Sequence, residues 1–355
     1  VIKFYNVKVP RENIILGEGK GLKVALSTLN TGRLTLPAAC AGLAKQCLHE
    51  TRLWVLNRRQ WGSRIGDHEA IAEKVARMAA DTFALESVVH LTSALVDHGD
   101  TDIRLEAAMA KMWGTETAWR IVDDAMQIRG GRGYETAASQ SERSERPVPL
   151  ERFMRDARIN TIFEGSSEIM RLFLAREALD PHLCKAGAVL DSRLPFWKRL
   201  TAGLKAACFY AGWYPRTWLP FNFGIPGKLH EDLRPGLEYI QDTSRLLART
   251  LFHSMVRHGP ALEKRQLQLS RIVEIGTELF VLTAATLHAD LLIRQGHGEY
   301  RREELMTLAN YLLKRTKLKV RASFAALKDN LDPETRELGK AVLDEQLREL
   351  EELPG

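Results

Sequence analysis

Residues 155–171 read Arg155-Asp156-Ala157-Arg158-Ile159-Asn160-Thr161-Ile162-Phe163-Glu164-Gly165-Ser166-Ser167-Glu168-Ile169-Met170-Arg171. Glu164 follows the apolar pair Ile162-Phe163 and precedes a glycine. Ser166 and Ser167 are good N-cap residues, and Ile169, Leu172, Phe173 and Ala175-Arg176 follow at helical spacing. The pattern predicts that Glu164 sits in a turn just ahead of a helix. Apolar surroundings disfavour the ionised form of a carboxyl group, which suits a general base. Gly165 lets a backbone or a ligand come close. The helix start behind it suits an anionic group such as a phosphate. On spacing alone, the plainer reading is an ordinary turn.

The stretch resembles the catalytic signature of acyl-CoA dehydrogenases, where an aromatic-Glu-Gly-Thr/Ser run follows Arg-Asp-Ala-Arg/Lys-Ile. The resemblance implies that Glu164 removes the α-proton of an acyl-CoA thioester while the β-hydrogen leaves as hydride to N5 of bound FAD. Asn30-Thr31-Gly32-Arg33 reads as a break ahead of a long Ala-rich helix over about 34–57. The family has a matching break, ending in an Arg, that lines the acyl-CoA site. Substrate contact is therefore implied for Asn30, Thr31, Gly32 and Arg33 beside Glu164. Without the resemblance, the same segment is a helix cap and a surface Arg. Some family members carry the base on the residue before that Arg. Here it is Gly32, which cannot serve, and this supports Glu164.

Two further motifs concern FAD. Arg58-Arg59-Gln60-Trp61-Gly62 is similar to the family's Arg-x-x-aromatic-Gly run. It implies that Arg58 binds the FAD pyrophosphate of a neighbouring subunit, a role its planar fork suits, and that Trp61 packs near the flavin. His68-Glu69 falls where the family often has a His-Gln pair touching FAD. Glu69 departs from that pattern, and His68 taken alone is a helix-start residue. Gln127-Ile128-Arg129-Gly130-Gly131-Arg132-Gly133-Tyr134 is on its face a helix C-cap. The resemblance assigns Gln127, Ile128, Arg129, Gly130 and Gly131 to the FAD adenylate half across a dimer interface. Gly165, Ser166, Ser167 and Glu168 match the segment that wraps the flavin and its phosphates.

The 355 residues allow two domains, and 45% hydrophobic with 27% charged is ordinary globular composition. A net charge of +6 without a basic block gives no sign of nucleic-acid binding. Cys40, Cys47, Cys184 and Cys208 form no CxxC and have no metal-ligand spacing. They are expected as buried free thiols in a reducing compartment, with no metal site. Residues 1–10 alternate as a strand already in progress. The glycines at 17, 19 and 21 lack the Lys-Ser/Thr ending of a phosphate loop and read as a turn. The chain begins at Val1 and is expected to be a fragment. Its upstream part would supply other FAD contacts and most of the acyl pocket, so the fragment alone is expected to hold no flavin. No uninterrupted apolar run reaches transmembrane length.

Helical periodicity predicts helices over about 69–98 and from 101 or 102 to 128. The latter has a small-residue face of Ala107, Ala110, Gly114 and Ala118. Residues 136–149 read as an exposed loop, and Asp180-Pro181 as the stop of the helix after Glu164. Apolar stripes at Ile240–Met255, Ile272–Leu282 and Leu305–Leu312 predict three more helices, and Asp332-Pro333 starts a short final one. Lys314 to Arg321 is a charged, solvated face.

The fold class expected is mainly α. The end of a middle β-domain (1–21) is followed by a four-helix-bundle acyl-CoA dehydrogenase C-terminal domain (22–182). An aromatic and basic linker (183–228) then leads to a second helical domain (229–355). This last part resembles the extra domain of very-long-chain acyl-CoA dehydrogenases. Phe196, Trp197, Phe209, Tyr210, Trp213 and Trp218 crowd the linker with Lys198, Arg199 and Lys205, a composition suited to a membrane interface. Its alternative is an aromatic linker folded onto the core or a dimer partner. The implied activity is FAD-dependent α,β-dehydrogenation of long acyl-CoA in fatty-acid β-oxidation. The implied partners are an electron-transfer flavoprotein, a second copy in a homodimer or dimer of dimers, and a membrane surface contacted through 194–228. The implied location is the cytoplasm or mitochondrial matrix, at the inner face of a membrane. An acyl-CoA oxidase is the near alternative. A catalytically silent scaffold, acting through membrane or protein contacts, is the distant one.

Overall fold

The computed structural model describes residues 2–99, 102–190, 193–219, 229–296 and 301–351. The expectations for 220–228, for Thr101 as a helix start and for the side chain of Asn30 lie outside the described residues. The chain divides into two compact units, Val1–Met170 with Leu287–Gln295, and Arg171–Thr286 with Gly296–Gly355.

In the first unit, helices α1 (Gly21–Asn57), α2 (Glu69–His98) and α3 (Arg104–Arg129) pack on one another. A short hairpin, β1 (Arg59–Gln60) with β2 (Ser63–Arg64), joins α1 to α2. It is the one strand pairing among the described residues. Helices α4 (Gly131–Tyr134), α5 (Ala137–Glu142) and α6 (Leu150–Arg158) follow α3. Gly99 closes α2 in the left-handed conformation, φ 80°, as its sequence position predicts. Cys40, Ala44, Cys47, Met78, Leu85, Val88, Ala108, Ile121 and Val122 fill the core. Asp124 of α3 is buried and receives Lys74 and Arg77 of α2, with Arg77 Nη2 donating at 2.7 Å.

The predicted break at residues 30–33 does not occur: α1 runs unbroken through Gly32 and Pro37. A glycine and a proline inside an isolated helix cost about 1 and 3 kcal/mol. Tertiary packing offsets this. Pro37 crosses α3 at Gly114, where an added Cβ would stand 3.0 Å from Leu85 Cδ1 and 3.5 Å from Pro37 Cβ. The small-residue face read from the sequence is thus the α1–α3 crossing.

Residues 2–10 form no strand, and Phe4, Val7 and Val9 are exposed. Alternation supplies a face, but a strand also needs a neighbour to complete its ladder. Residues 136–149 are exposed over 141–147, as expected of a loop, but the segment is not loop throughout. It contains α5 and packs down through Gln140, 1% exposed, which donates to the carbonyls of Arg132, Glu135 and Val148 and accepts from Val148 N. Polar composition concealed a side chain that satisfies backbone. Cys184 and Cys208 are exposed, whereas Cys40 and Cys47 are buried as expected.

Helix α7 (Ser167–Leu190) begins in the first unit and runs on through Pro181, where a stop was expected. Beyond it, His182 hydrogen-bonds Tyr210 at 3.0 Å and meets Trp213 edge-on. These contacts favour the helical path past the proline. Tyr210 and Trp213 belong to α8 (Phe196–Arg216), a single 21-residue helix. The second unit also holds α9 (Arg234–His258), the part of α10 (Gln266–Gln295) up to Thr286, α11 (Arg302–Ala326) and α12 (Asp332–Leu343), matching the predicted stripes. Ile275, Leu279 and Val320 form its core with Tyr239, Ile240, Leu247, Phe324 and Leu327. Helix α10 is apolar enough by length and composition to cross a membrane, but most of it is buried in the chain, as in a core helix. In the charged face of α11, Lys319 pairs with Glu278 at 2.6 Å and Lys317 lies over the Tyr239 ring.

Candidate active site

Helix α6 ends in a 3₁₀ turn, Ile159–Thr161, and the chain then reverses before α7. The reversal is built from two left-handed residues, Glu164 (φ 54°) and Gly165 (φ 98°). The second is glycine for two reasons. Its φ suits no side chain, and an added Cβ would fall 2.5 Å from Met170 Cε. Ser166 is the N-cap expected. Its carbonyl accepts Met170 N at 2.8 Å, and its hydroxyl stands 3.5 Å from Ile169 N. Ser167 is buried and Glu168 is exposed.

The turn delivers the Glu164 carboxyl to α1. A Cβ built on Gly32 would lie 2.4 Å from Glu164 Oε2 and 2.9 Å from Oε1. The carboxyl therefore occupies the space that any other residue at 32 would claim. Oε2 is buried and has no hydrogen-bond partner among the described residues. Arg33, the next residue on α1, is within the electrostatic reach of Glu164. Burial lowers its pKa, and the carboxylate works against that. Thr31 is exposed.

One residue of the site was missed in the sequence. Lys111 of α3 is fully buried, and its Nζ donates to the carbonyls of Phe163 (2.9 Å) and Gly165 (2.6 Å), on either side of Glu164. Burial lowers its pKa, and the Glu164 carboxylate opposes that shift. A signal was present: Lys111 lies in helical register with Ala107, Gly114 and Ala118. A lysine on a small-residue, buried face must have acceptors waiting.

The second group of predicted residues meets elsewhere in the same unit. Arg58, Ile128, Arg129, Gly130 and Gly131 line an open pocket of about 950 Å³ with Trp54, Ile65, Arg132, Tyr134, Glu135 and Glu145. Arg132 is already paired with Glu145 at 2.5 Å, and Glu135, its carboxyl held down to about 2 by Arg143, completes an acidic rim. Arg129 lies over the Trp54 ring at 4.7 Å, with its Nε buried and without a hydrogen-bond partner. Arg58 makes no ion pair among the described residues. Added Cβ atoms at Gly130 and Gly131 meet nothing within 4 Å, so the backbone there is open to a ligand. Two guanidinium groups, neither in an ion pair among the described residues, beside bare backbone suit a pyrophosphate. The donor set fits a dinucleotide. Gln127 is exposed on the last turn of α3. Trp61 is 88% exposed at φ 50°, edge-on to His68, whose Nε2 is 3.3 Å from Ser63 Oγ and from the Gln60 carbonyl. Neither Trp61 nor His68 lines the pocket.

Residues 19–179 match the family model described as the C-terminal domain of acyl-CoA dehydrogenase. The chain is 44% identical over 355 residues to "Probable acyl-CoA dehydrogenase FadE10" of Mycobacterium tuberculosis, covering 99% of this chain and 54% of that protein. It is 30% identical over 338 residues to the mitochondrial very long-chain specific acyl-CoA dehydrogenase of Bos taurus, covering 95% and 49%. The chain thus spans about half the length of these relatives. An acyl-CoA dehydrogenase from Bacillus anthracis, crystallised with FAD, superposes with a TM-score of 0.65 over 98% of this chain and 56% of its own. At 24% identity that likeness is one of fold. Residues 19–179 of this chain are therefore an acyl-CoA dehydrogenase C-terminal domain.

Proposed function

We propose that the protein dehydrogenates acyl-CoA thioesters between the α and β carbons, with Glu164 as the base that takes the α-proton. The observation that carries this is the Glu164 carboxyl itself. It is set against bare Gly32, with one oxygen buried and without a hydrogen-bond partner among the described residues. A carboxyl serving only the fold would be hydrogen-bonded.

FAD, when bound, supplies the acceptor for the β-hydride. This chain's own residues hold and position. Arg58 and Arg129 bind the pyrophosphate, and the open backbone at Gly130 and Gly131 receives the adenylate half. The pocket they line serves a dinucleotide bound mainly by a second copy. The start of α7, with Gly165 to Glu168, would hold the flavin phosphates. Glu164 holds the proton after transfer, and its backbone amide donates to the thioester carbonyl, stabilising the charge that develops there. Arg33 adds positive potential beside the same carboxylate. Electrons leave the protein to an electron-transfer flavoprotein.

The acyl chain is read as long, from the similarity of the second unit to very-long-chain enzymes. A peripheral membrane contact through α8 accompanies that reading. Phe196, Trp197, Leu200 and Leu204 are exposed along one stripe, with Lys198 and Lys205 beside them. Apolar side chains of this size in a row suit an interface.

The test is Glu164→Gln in the full-length, flavin-loaded protein. Acyl-CoA should no longer bleach the flavin absorbance, while flavin content stays unchanged. Undiminished bleaching removes Glu164 as the base. Peroxide release in place of reduction of an electron-transfer flavoprotein would turn the reading to an oxidase.

A further inference from the structure

Lysine is almost never fully buried unless its ammonium is satisfied. Lys111 is 0% exposed in the middle of α3, and its Nζ reaches out of that helix to another segment, to the carbonyls of Phe163 and Gly165. The residue between these carbonyls is Glu164. A non-glycine residue at positive φ costs of order 1–2 kcal/mol, so neighbouring structure must hold it there. A single charged donor shared by both flanking carbonyls does this. It holds the peptide plane just before Glu164 and the one just after Gly165, and so brackets the two left-handed residues whose geometry sets the direction in which the Glu164 Cβ leaves the backbone. That direction leads to Gly32, whose missing Cβ leaves the space the carboxyl occupies.

We propose that Lys111 is the positioning residue of the catalytic base: by bridging the carbonyls of Phe163 and Gly165 it sets the left-handed turn that aims Glu164 at the substrate's α-carbon. The inference rests on the dehydrogenase reading above and extends it to a residue that touches no substrate. The charged and titratable groups around the ammonium are Arg33 and Cys40 from α1, Glu116 from its own helix, and Glu164 from the turn. Glu164 is the counter-charge with the largest effect on it. The ammonium therefore holds the turn through two carbonyls and the carboxylate through its field. A lysine kept only to fill the core would have no reason to straddle the base.

The experiment uses the full-length, flavin-loaded protein with Lys111→Met, which keeps length and packing but removes the donor. Lys111→Gln, which keeps a neutral donor, is run beside it. Two readouts are taken per bound flavin: kcat against KM, and exchange of the substrate's α-proton with deuterated solvent. A base displaced by about an ångström costs on the order of 100-fold. Lys111→Met should lose about that much in kcat and in exchange, with KM for acyl-CoA nearly unchanged, and Lys111→Gln should fall between it and wild type. Glu164→Gln is the reference and should abolish exchange. Wild-type kcat and exchange in Lys111→Met, with Glu164→Gln inactive, overturn the positioning role and leave the dehydrogenase reading intact. Full exchange in Glu164→Gln overturns that reading itself. If both Lys111 variants fail to retain flavin, the lysine is a folding residue and the proposal is overturned.

Discussion

The carboxyl of Glu164 sits where the side chain of residue 32 would begin. Its Oε2 is 2.4 Å from the Cβ that Gly32 lacks. Two segments more than a hundred residues apart are thus complementary at one point. The glycine of α1 is the socket, and the left-handed turn before α7 supplies what fills it. Backbone strain, an absent Cβ and a buried lysine all converge on one carboxylate.

Gly32→Ala tests that complementarity. The substitution raises helix propensity by about 1 kcal/mol and lies inside α1, so thermal stability should hold or rise. The new methyl must expel the Glu164 carboxyl. Dehydrogenation should fall about 100-fold with flavin content unchanged. A wild-type rate in a well-folded Gly32→Ala protein would show that the carboxyl has no need of this socket.

Arg58→Met tests the dinucleotide pocket. Arg58 makes no ion pair among the described residues, and the neighbouring Arg132 is committed to Glu145. A hydrogen bond to a charged group contributes about 1.5–3 kcal/mol. The variant should therefore bind FAD roughly 10- to 100-fold more weakly, as measured by flavin release on dilution, while Arg132→Met should have the smaller effect. The reverse order would move the pyrophosphate from Arg58 and Arg129 toward the acidic rim.

The helices were legible because apolar residues recur along them at helical spacing and their ends are marked. Gly99 closes α2, Gly259 follows α9, and Asp332-Pro333 opens α12. Local signals misled wherever packing decides. Asn30 to Arg33 looks like a break, but α1 runs through it and packs Pro37 against Gly114 of α3, and Pro181 looks like a stop, yet α7 continues. The exposed-loop reading of 136–149 held for 141–147 but missed α5, where a polar residue, Gln140, turns inward to satisfy backbone. Glu164 was found through its neighbours in sequence. Lys111 was not, since nothing near it in sequence reveals the two carbonyls that come to it from residues 163 and 165.

The α8 stripe makes a separate prediction. Trp197 is 73% exposed and Leu204 63%, on a helix whose one buried residue is Ala206. Burying a large apolar side chain gains about 1.5–3 kcal/mol. Trp197→Asp with Leu204→Asp in the full-length protein should weaken co-sedimentation with anionic vesicles at least tenfold, or about 1.4 kcal/mol, and spare activity on a soluble acyl-CoA. Unchanged sedimentation would remove the membrane from the account of this helix and leave a protein surface as its occupant.

The second unit has a built-in acid sensitivity at the start of α12. Asp332 is buried and takes both arms of Arg271 from α10, with Nη1 to Oδ2 at 2.8 Å and Nη2 to Oδ1 at 2.6 Å. These hydrogen bonds hold its carboxyl below the usual 3.8, against the opposing effect of burial. A carboxyl depressed in the folded state contributes stability above its unfolded value, and this is lost as pH falls through the folded one. Stability of this unit should accordingly be level near neutrality and drop below about pH 4, once the unfolded chain binds the proton first. Asp332→Asn keeps the shape and the α12 start but removes the charge. It should cost about 2 kcal/mol at neutral pH, measured by urea unfolding, and flatten the acid limb. An equal acid limb in wild type and variant would assign the sensitivity to other carboxylates.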